Sequence, residues 1–436
     1  MNPWQGIARL AGFPADFEIL DEQTYPPTKE RPQARVFYTI RRRLRQGVCS
    51  ACGTLCSKIH STDEVELRDL PAFGQQIHWR IPRFTVRCER CGKNTVEDHW
   101  LWRARRQFTW RYECQISRLC EELTNVGVAR LELLSDKTVY RIDYELLCLR
   151  MERQSLPQDI GPHYSMDEIH FRTFRKKLDR EKSVSFVTNL LCMKYRKVIF
   201  NAPGRVQASA QVCLLGLSET QRAQAQSFAA DLHDDFHLAI RAACPQADIV
   251  LDRFHIMKLF NESMNDFRKR QLTMAQSCEE KGLLRGANKW LLLMSPDKMS
   301  ATKKGLLDEL KALNERVVEA LLIREQFVSF FQSSTLELAK QRWEQLKRMI
   351  TEADITELTD FFRRLSAWTE FLWNYFKHRT SSAIIEAVNH KIKAVRGMAY
   401  GYRNLHYFQL KILQRVGFLN SRFVNLPQKQ GRLYRV

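Results

Sequence analysis

The chain has 436 residues, of which 69 are Lys or Arg and 49 are Asp or Glu, so its formal net charge is +20. This length is too great for one simple core and predicts about two to four domains, while the charge favours a polyanionic partner, most commonly nucleic acid. No apolar run approaches the ~20 residues of a membrane-spanning helix, and the N-terminus lacks the pattern of a secretion signal. We therefore expect a cytoplasmic protein, and no membrane partner.

The first part of the chain changes in character twice. Residues 1–45 contain prolines and no helical stripe, which predicts an irregular N-terminal arm. Residues 46–105 contain short alternating segments that predict β-hairpins. Residues 106–155 predict a helix, a short helix, a turn and a last helix, for which Ser135 or Asp136 is the expected N-cap.

The rest of the chain begins with strands. Residues 156–260 predict three consecutive strands and then two short apolar runs, SFAAD and ADIVLD, each followed by a helical segment. This order indicates an α/β or α+β layer fold. Residues 261–378 are helical in pattern, and residues 379–436 carry a further helix and a basic tail.

Two C-x2-C pairs lie about 35 residues apart in the predicted hairpins. Tetrahedral Zn²⁺ needs four ligands, and a closed four-sulfur site is structural rather than catalytic. Cys56 and His60 are close enough in the chain to replace one of the four ligands. The spacing predicts a zinc ribbon whose ligands are Cys49, Cys52, Cys88 and Cys91.

The segments around these cysteines are basic. Residues 29–58 hold eight Lys or Arg and one acidic residue. Residues 80–118 hold ten Lys or Arg and four acidic residues. Interleaving of arginines with Trp79 and Phe84 suits phosphate contact combined with base stacking, although a solvated strand face is the alternative for any single arginine. The arginines concerned are Arg80, Arg83, Arg87 and Arg90.

The helical segment that follows is similar to a helix-turn-helix, whose last helix would enter a major groove of DNA. A purely structural helical hairpin is the alternative. The side chains that this helix would offer to DNA are Lys137, Thr138, Tyr140 and Arg141.

Acidic residues on separate predicted elements form a second candidate metal site. Asp167 lies within a strand, Asp231 directly follows the run SFAA, and Glu386 lies in a helix with Asn389 and Lys393 on the same face. Carboxylates are the ligands that Mg²⁺ or Mn²⁺ prefers, and two such ions can promote cleavage of a phosphodiester. No acidic residue follows Glu386, whereas residues 387–436 hold ten Lys or Arg, which suits a site that a phosphate backbone enters.

These residues also carry a family resemblance. The segments MDEIH, AADLHDDF, IVLDRFHIMKLFNE and IIEAVNHKIKAVRGMAYGYRN are similar to those of bacterial insertion-sequence DDE transposases of the ISL-three branch. The resemblance implies a multidomain α+β protein with a zinc ribbon, a helix-turn-helix and an RNase H-like α/β catalytic core that an all-helical insertion interrupts. The first 45 residues match nothing in the family pattern.

The resemblance also assigns roles to residues. Asp167, Asp231 and Glu386 become the three catalytic carboxylates, with Asp234 a rival for the second. Asp252 and His255, which follow the second apolar run, become residues that order the site or the DNA end, and a helix-capping Asp beside a packed His is the alternative. Asn389 and Lys393 support the site, and Arg396 is a further DNA-binding candidate.

The activity implied is Mg²⁺-dependent cleavage at the ends of an insertion sequence, followed by strand transfer into target DNA. The partners are double-stranded DNA, as terminal inverted repeats and target, and a second copy of the chain in a homodimer on DNA. Two other functions stay open: a DNA-binding regulator derived from a transposase that no longer cuts, and an RNase H-like nuclease.

Overall fold

The computed structural model describes residues 7, 12–13, 16–30, 32–99, 101, 107–175, 182–231, 233–294, 296–379, 382–399 and 401–424. The protein is a mixed α+β chain that divides into two compact units. The first unit combines Met1–Ser155 with Val395–Val436, and the second is Leu156–Ala394. None of the helices within the described ranges is long and apolar enough to cross a membrane.

The first unit contains a seven-stranded sheet. Its strands run in the order β1-β2-β6-β7-β3-β4, and β5 pairs with β6. Only the pairing of β2 with β6 is parallel. The strands are β1 (Phe17–Tyr25), β2 (Arg35–Arg42), β3 (Gly47–Cys49), β4 (Leu55–Cys56), β5 (Ile59–Arg68), β6 (Gln76–Arg87) and β7 (Asn94–Asp98).

The prediction of an irregular N-terminal arm is wrong for residues 17–42. This segment forms β1 and β2, which pair antiparallel. Phe17 and Ile19 alternate with more exposed residues and enter the core, where they join Val36 and Ile40. Three of the five prolines in residues 1–45, Pro26, Pro27 and Pro32, fall in the connection between the two strands, where the missing N–H of proline breaks no ladder hydrogen bond.

Three helices follow this sheet, and together we call them the helical head: α1 (Trp110–Leu119), α2 (Asn125–Glu132) and α3 (Asp136–Glu152). The Ser135 side chain accepts a hydrogen bond from the Thr138 backbone N–H at 3.1 Å, so Ser135 is the N-cap of α3, as predicted. Tyr112, Ile116, Val128 and further apolar residues of all three helices form one buried cluster.

A buried aspartate joins the sheet to the helical head. Asp69 is 2% exposed and accepts hydrogen bonds from the Trp79 indole at 2.6 Å, the Thr109 hydroxyl at 2.6 Å and the Arg111 guanidinium at 2.7 Å. Burial alone would raise the pKa of Asp69, but the Arg111 charge and these donors hold the pKa below its usual value. The carboxylate therefore stays ionised and connects β5 and β6 to the start of α1.

We expect Asp69→Ala to lower the free energy of unfolding by about 3 kcal/mol, because it leaves several buried donors without an acceptor. Chemical denaturation of the full chain measures the change. Glu89→Ala, which removes an exposed carboxylate from the same unit, is the matched control. Equal stability of the two variants would contradict a structural role for Asp69.

The second unit is built on a five-stranded sheet in the order β10-β9-β8-β11-β12. The first three strands in the chain pair antiparallel, and β11 lies parallel to both β8 and β12. The predicted run of three strands, followed by two strand–helix pairs, is thus confirmed. The strands are β8 (His163–Arg175), β9 (Lys182–Cys192), β10 (Lys197–Pro203), β11 (Ser227–Ala230) and β12 (Asp248–Leu251).

Helices follow the last three strands of this sheet. α4 (Gln207–Leu215) and α5 (Glu219–Ala223) come after β10, α6 (Asp234–Ala243) comes after β11, and α7 (Arg253–Met274) comes after β12. Six more helices continue the predicted helical stretch, around a core of aromatic rings that includes Phe327, Phe330 and Trp343. They are α8 (Cys278–Leu284), α9 (Ala301–Leu313), α10 (Glu315–Phe331), α11 (Leu336–Ala353), α12 (Thr356–Ser366) and α13 (Thr369–His378).

Two helices end the described chain, α14 (Ser382–Met398) and α15 (Leu405–Val416). The division between the compact units falls within α14, so that α15 belongs to the first unit with the helical head. The predicted boundaries assigned all of residues 379–436 to the catalytic core.

Candidate metal centres

The two cysteine pairs come together at one end of the first unit's sheet. The sulfur atoms of the four cysteines all lie within 4.8 Å of one another, with 3.7 Å between Cys49 and Cys91 and 3.5 Å between Cys52 and Cys88. Four sulfurs at about 2.3 Å from a tetrahedral Zn²⁺ would be about 3.8 Å apart. The quartet that the spacing predicted is therefore arranged as a site that could hold zinc.

Tight turns hold each pair in place. The Gly53 N–H donates to the Cys49 carbonyl at 2.8 Å, and the Gly92 N–H donates to the Cys88 carbonyl at 2.9 Å. Both glycines have φ near +70°, a conformation that an L side chain rarely adopts. Each turn thus brings both cysteines of a pair to the same side of the backbone.

The two alternative ligands lie outside this group. The Cys56 thiol donates to the Thr54 carbonyl at 3.4 Å, and burial raises the pKa of Cys56 to about 11. His60 is exposed. Neither residue belongs to the cluster of possible ligands in the described part of the chain.

The predicted stacking of bases on Trp79 and Phe84 is wrong. Trp79 is 2% exposed and Phe84 is 3% exposed, because each ring packs in a buried apolar cluster, Trp79 with the residues of β1 and β2 and Phe84 with the cysteines. Of the arginines between them, Arg80 donates to Gln23 at 2.9 Å and Arg83 lies 3.8 Å from Asp63. Arg87 is exposed at the end of β6, as is Arg90 beyond it.

Several carboxylates of the second unit lie on the side of its sheet where strands β11 and β12 end. Asp167 lies within β8, Asp231 directly follows β11, and Asp252 directly follows β12. Because β8, β11 and β12 are parallel, their carboxyl ends lie on the same side, which is where sites form in such sheets. His255, on the first turn of α7, lies 3.3 Å from Asp252 and 3.8 Å from Asp231.

The charges of Asp167, Asp231, Asp252 and His255 shift the pKa values of Asp167 and His255. Burial raises the pKa of Asp167 to about 6, although the charge of His255 and a hydrogen bond from Asn389 oppose the rise. Burial alone would lower the pKa of His255, but the Asp252 carboxylate 3.3 Å away and the charges of Asp231 and Asp167 raise it to about 9. The site therefore places the His255 ring beside carboxylate oxygens, the hard ligands that Mg²⁺ or Mn²⁺ prefers.

Asp252 is the N-cap of α7, the alternative role considered for it, and it also lies beside His255. One oxygen accepts from the Phe254 N–H at 2.9 Å and caps α7, while the other faces His255. Asp234, the rival for the second carboxylate, is an exposed residue at the start of α6. Asp231 is the one that faces His255.

The helix α14 contributes Asn389 to this centre. Its side-chain amide donates to Asp167, whose other oxygen accepts from the Glu168 N–H at 2.8 Å. Asn189 lies opposite Asp167 in the β8–β9 ladder and is 4% exposed. Sequence reasoning missed Asn189, for which the one signal was a polar residue inside the apolar run of β9.

Glu386 lies one helical turn before Asn389, but its carboxylate is not in the cluster. Its side chain is 47% exposed and lies 3.5 Å from His390 of the same helix. Among the described residues, the four cysteines are the only group of possible ligands that lie within 4.8 Å of one another. The structure thus places Asp231 and Asp252 within 3.8 Å of His255, and the charges of Asp167 and His255 influence each other, whereas Glu386 faces away.

The predicted DNA-binding residues differ in exposure. Lys137 and Arg141 are exposed on α3, whereas Thr138 contacts the N-cap Ser135, with 2.8 Å between their hydroxyls. Tyr140 is half-buried, and its hydroxyl accepts from Asn404 at 3.1 Å. On α14, Lys393 is exposed and Arg396 is half-buried.

Carboxylates beside parallel strands and a four-cysteine cluster, in a strongly basic chain, are compatible with a protein that processes DNA. A family model described as transposase, of the ISL3 DDE type, matches residues 165–412, and the chain belongs to this family. The transposase for insertion sequence element IS1001 of Bordetella parapertussis is similar to this chain, with 26% identity over 367 residues, or 84% of this chain and 87% of that protein.

Proposed function

We propose that this protein binds the terminal inverted repeats of an insertion sequence and catalyses strand cleavage and strand transfer. The observation that supports the proposal is the approach of Asp231 and Asp252, which follow two parallel strands, to His255, whose pKa the charge of Asp167 also raises. Membership in a transposase family supports strand cleavage and strand transfer as the reactions of this carboxylate site. The cytoplasm, where bacterial DNA lies, is the expected compartment.

The domain arrangement that we propose has four parts. A zinc ribbon and the helical head, acting as a helix-turn-helix, bind DNA. The five-stranded sheet is an RNase H-like core, and residues 261–378 form an all-helical insertion between its second aspartate and Glu386. The mixed sheet with helices after β11 and β12 supports the core assignment.

Asp167, Asp231 and Glu386 would hold the catalytic Mg²⁺ or Mn²⁺, which when bound would activate an attacking hydroxyl and stabilise the leaving oxygen. The protein's own contribution is to position these ligands. Asn389 fixes the orientation of Asp167, and His255 holds the carboxylates of Asp231 and Asp252. To join them, the Glu386 side chain must turn away from His390.

The reaction is a pair of phosphoryl transfers without a covalent enzyme intermediate. Water attacks the phosphodiester at the end of the element and frees a 3′-hydroxyl, which then attacks a phosphate of target DNA. Lys393, which is exposed one turn beyond Asn389, would bind a phosphate of the entering strand. Because two ends take part, we propose a homodimer on DNA.

The exposed position of Glu386 favours one alternative, a transposase-derived regulator that binds DNA without cutting. Incubation of the protein with Mg²⁺ and DNA that carries the cognate ends decides between the two. Nicking at the ends and joining to target DNA supports the transposase. Binding without nicking supports the regulator, and cleavage that ignores the ends supports a plain RNase H-like nuclease.

DNA binding should weaken steeply with salt, because basic residues release counterions when they neutralise phosphates. For about six to ten phosphate contacts, the affinity should fall about 10³- to 10⁵-fold between 50 and 200 mM salt. Residues 261–378 hold nineteen basic and seventeen acidic residues, so the contacts should lie outside them. Fluorescence anisotropy measures the slope, and a flat response would exclude the basic faces as the contact surface.

A further inference from the structure

The C-terminal helix α15 supplies partners to a charge buried in the helical head. The Asp143 side chain, on α3, is 0% exposed. Its carboxylate accepts from the Tyr407 hydroxyl at 2.7 Å and lies 3.1 Å from the Lys411 ammonium, which is also buried. Within the described part of α1–α3, its donor is the Ser117 hydroxyl at 2.8 Å.

The same helix reaches the other two head helices. The Lys411 ammonium donates to the carbonyl of Cys120, the C-cap residue of α1, at 2.6 Å. Such a contact satisfies a carbonyl that the end of a helix leaves without a partner. The Tyr407 hydroxyl lies 3.0 Å from the side-chain oxygen of Asn125, the first residue of α2.

These contacts also fix the face of α3 that carries Lys137 and Arg141. Tyr140, between them, packs edge-on against Tyr407 with 4.9 Å between ring centroids. Tyr144, one turn further, lies 2.9 Å from His406 through its hydroxyl. The orientation of α3 therefore depends on α15.

A carboxylate kept away from water without a cation is strongly unfavourable, so α1–α3 need Lys411 to bury Asp143. We propose that α15 is a fourth helix of the DNA-binding head, and that Lys411 and Tyr407 are positioning residues through which α3 recognises the element ends. This inference rests on the proposed function of the head.

One consequence concerns the order of synthesis. The head helices leave the ribosome long before α15, so the head is complete only in a full-length chain. Chains that end within the catalytic core retain the whole helix-turn-helix sequence but lack the partner of Asp143. We expect such chains to bind the ends of the element more weakly than chains that contain α15.

The test is end binding by the full-length Lys411→Met variant. Lys391→Met is the control, because it removes an equal charge from an exposed position on α14. We expect Lys411→Met to bind the cognate end at least tenfold more weakly than the control, while both bind random DNA equally. Backbone amides of α3 should exchange hydrogen faster in Lys411→Met alone.

Two further variants cover the case in which Lys411→Met folds poorly. Tyr407→Phe retains the ring but removes the hydroxyl, and should also lower cognate affinity without changing random-DNA affinity. Adding Asp143→Asn to Lys411→Met should restore part of the lost affinity, because it neutralises the orphaned carboxylate. Cognate affinity equal to that of Lys391→Met in both single variants overturns the inference. Equal binding of cognate and random DNA by the wild type overturns the proposed function, and this inference with it.

Discussion

Asp167→Asn and Glu386→Gln should each reduce DNA cleavage by about a thousandfold or more, or about 4 kcal/mol of transition-state stabilisation, while leaving end binding unchanged. Both substitutions retain side-chain shape and remove the negative charge that a divalent ion needs. Because the proposed DNA-binding head lies in the other compact unit, its affinity should not respond. Cleavage in Mg²⁺ and anisotropy with cognate DNA measure the two effects separately.

The loss of cleavage expected for Glu386→Gln is the stricter test, because the Glu386 side chain faces His390 and solvent in the structure. Full activity of Glu386→Gln would show that the third ligand is another residue. Loss of activity in both variants, with binding intact, would place Glu386 in the working site despite its exposure. His390→Gln serves as the control for the local ion pair, and it should cut DNA normally.

The choice of the second carboxylate can be tested with a matched pair of variants. Asp231→Asn should be inactive, because Asp231 faces His255, whereas the exposed Asp234→Asn should retain activity. If Asp234→Asn were inactive and Asp231→Asn active, Asp234 would be the second catalytic carboxylate. Asp167→Cys adds a test for a direct metal contact, since activity absent with Mg²⁺ should partly return with Mn²⁺, which accepts a thiolate more readily.

The sequence predicted those parts of the site that short segments encode. The apolar runs before Asp231 and Asp252 are short enough to be buried parallel strands, and each ends at a carboxylate. Parallel strands present their carboxyl ends together, so local patterns were sufficient to bring these two residues to one edge. The cysteine pairs are likewise a local signal.

Other features depend on contacts between distant segments and left no local signal. β1 lies in a sheet because β2 completes its ladder, and the prolines between them suggested the opposite. The pairing of Lys411 with Asp143 joins residues 268 positions apart, and nothing near either residue marks it. The sequence also does not show which way the Glu386 side chain points. Helical periodicity places Glu386 on α14, but it does not say whether its carboxylate faces the carboxylates of the sheet or solvent.

Cys88→Ser should abolish zinc binding and lower the affinity for cognate ends at least about a hundredfold. Structural zinc contributes about 10–16 kcal/mol to the folding of small domains, and a hydroxyl does not replace a thiolate in a four-sulfur site. Metal analysis of the purified protein should find about one zinc per chain in the wild type and much less in the variant.

The controls for this zinc prediction are the other cysteines. Cys56→Ser changes a buried thiol beside the site but outside the quartet, and Cys278→Ser changes an exposed thiol in the other unit. Both should retain zinc and end binding. If Cys56→Ser lost zinc while Cys88→Ser kept it, Cys56 rather than Cys88 would be the fourth zinc ligand. Removal of zinc by a chelator should abolish end binding even when Mg²⁺ is then supplied in excess, since a hard oxygen-seeking ion does not occupy a thiolate site.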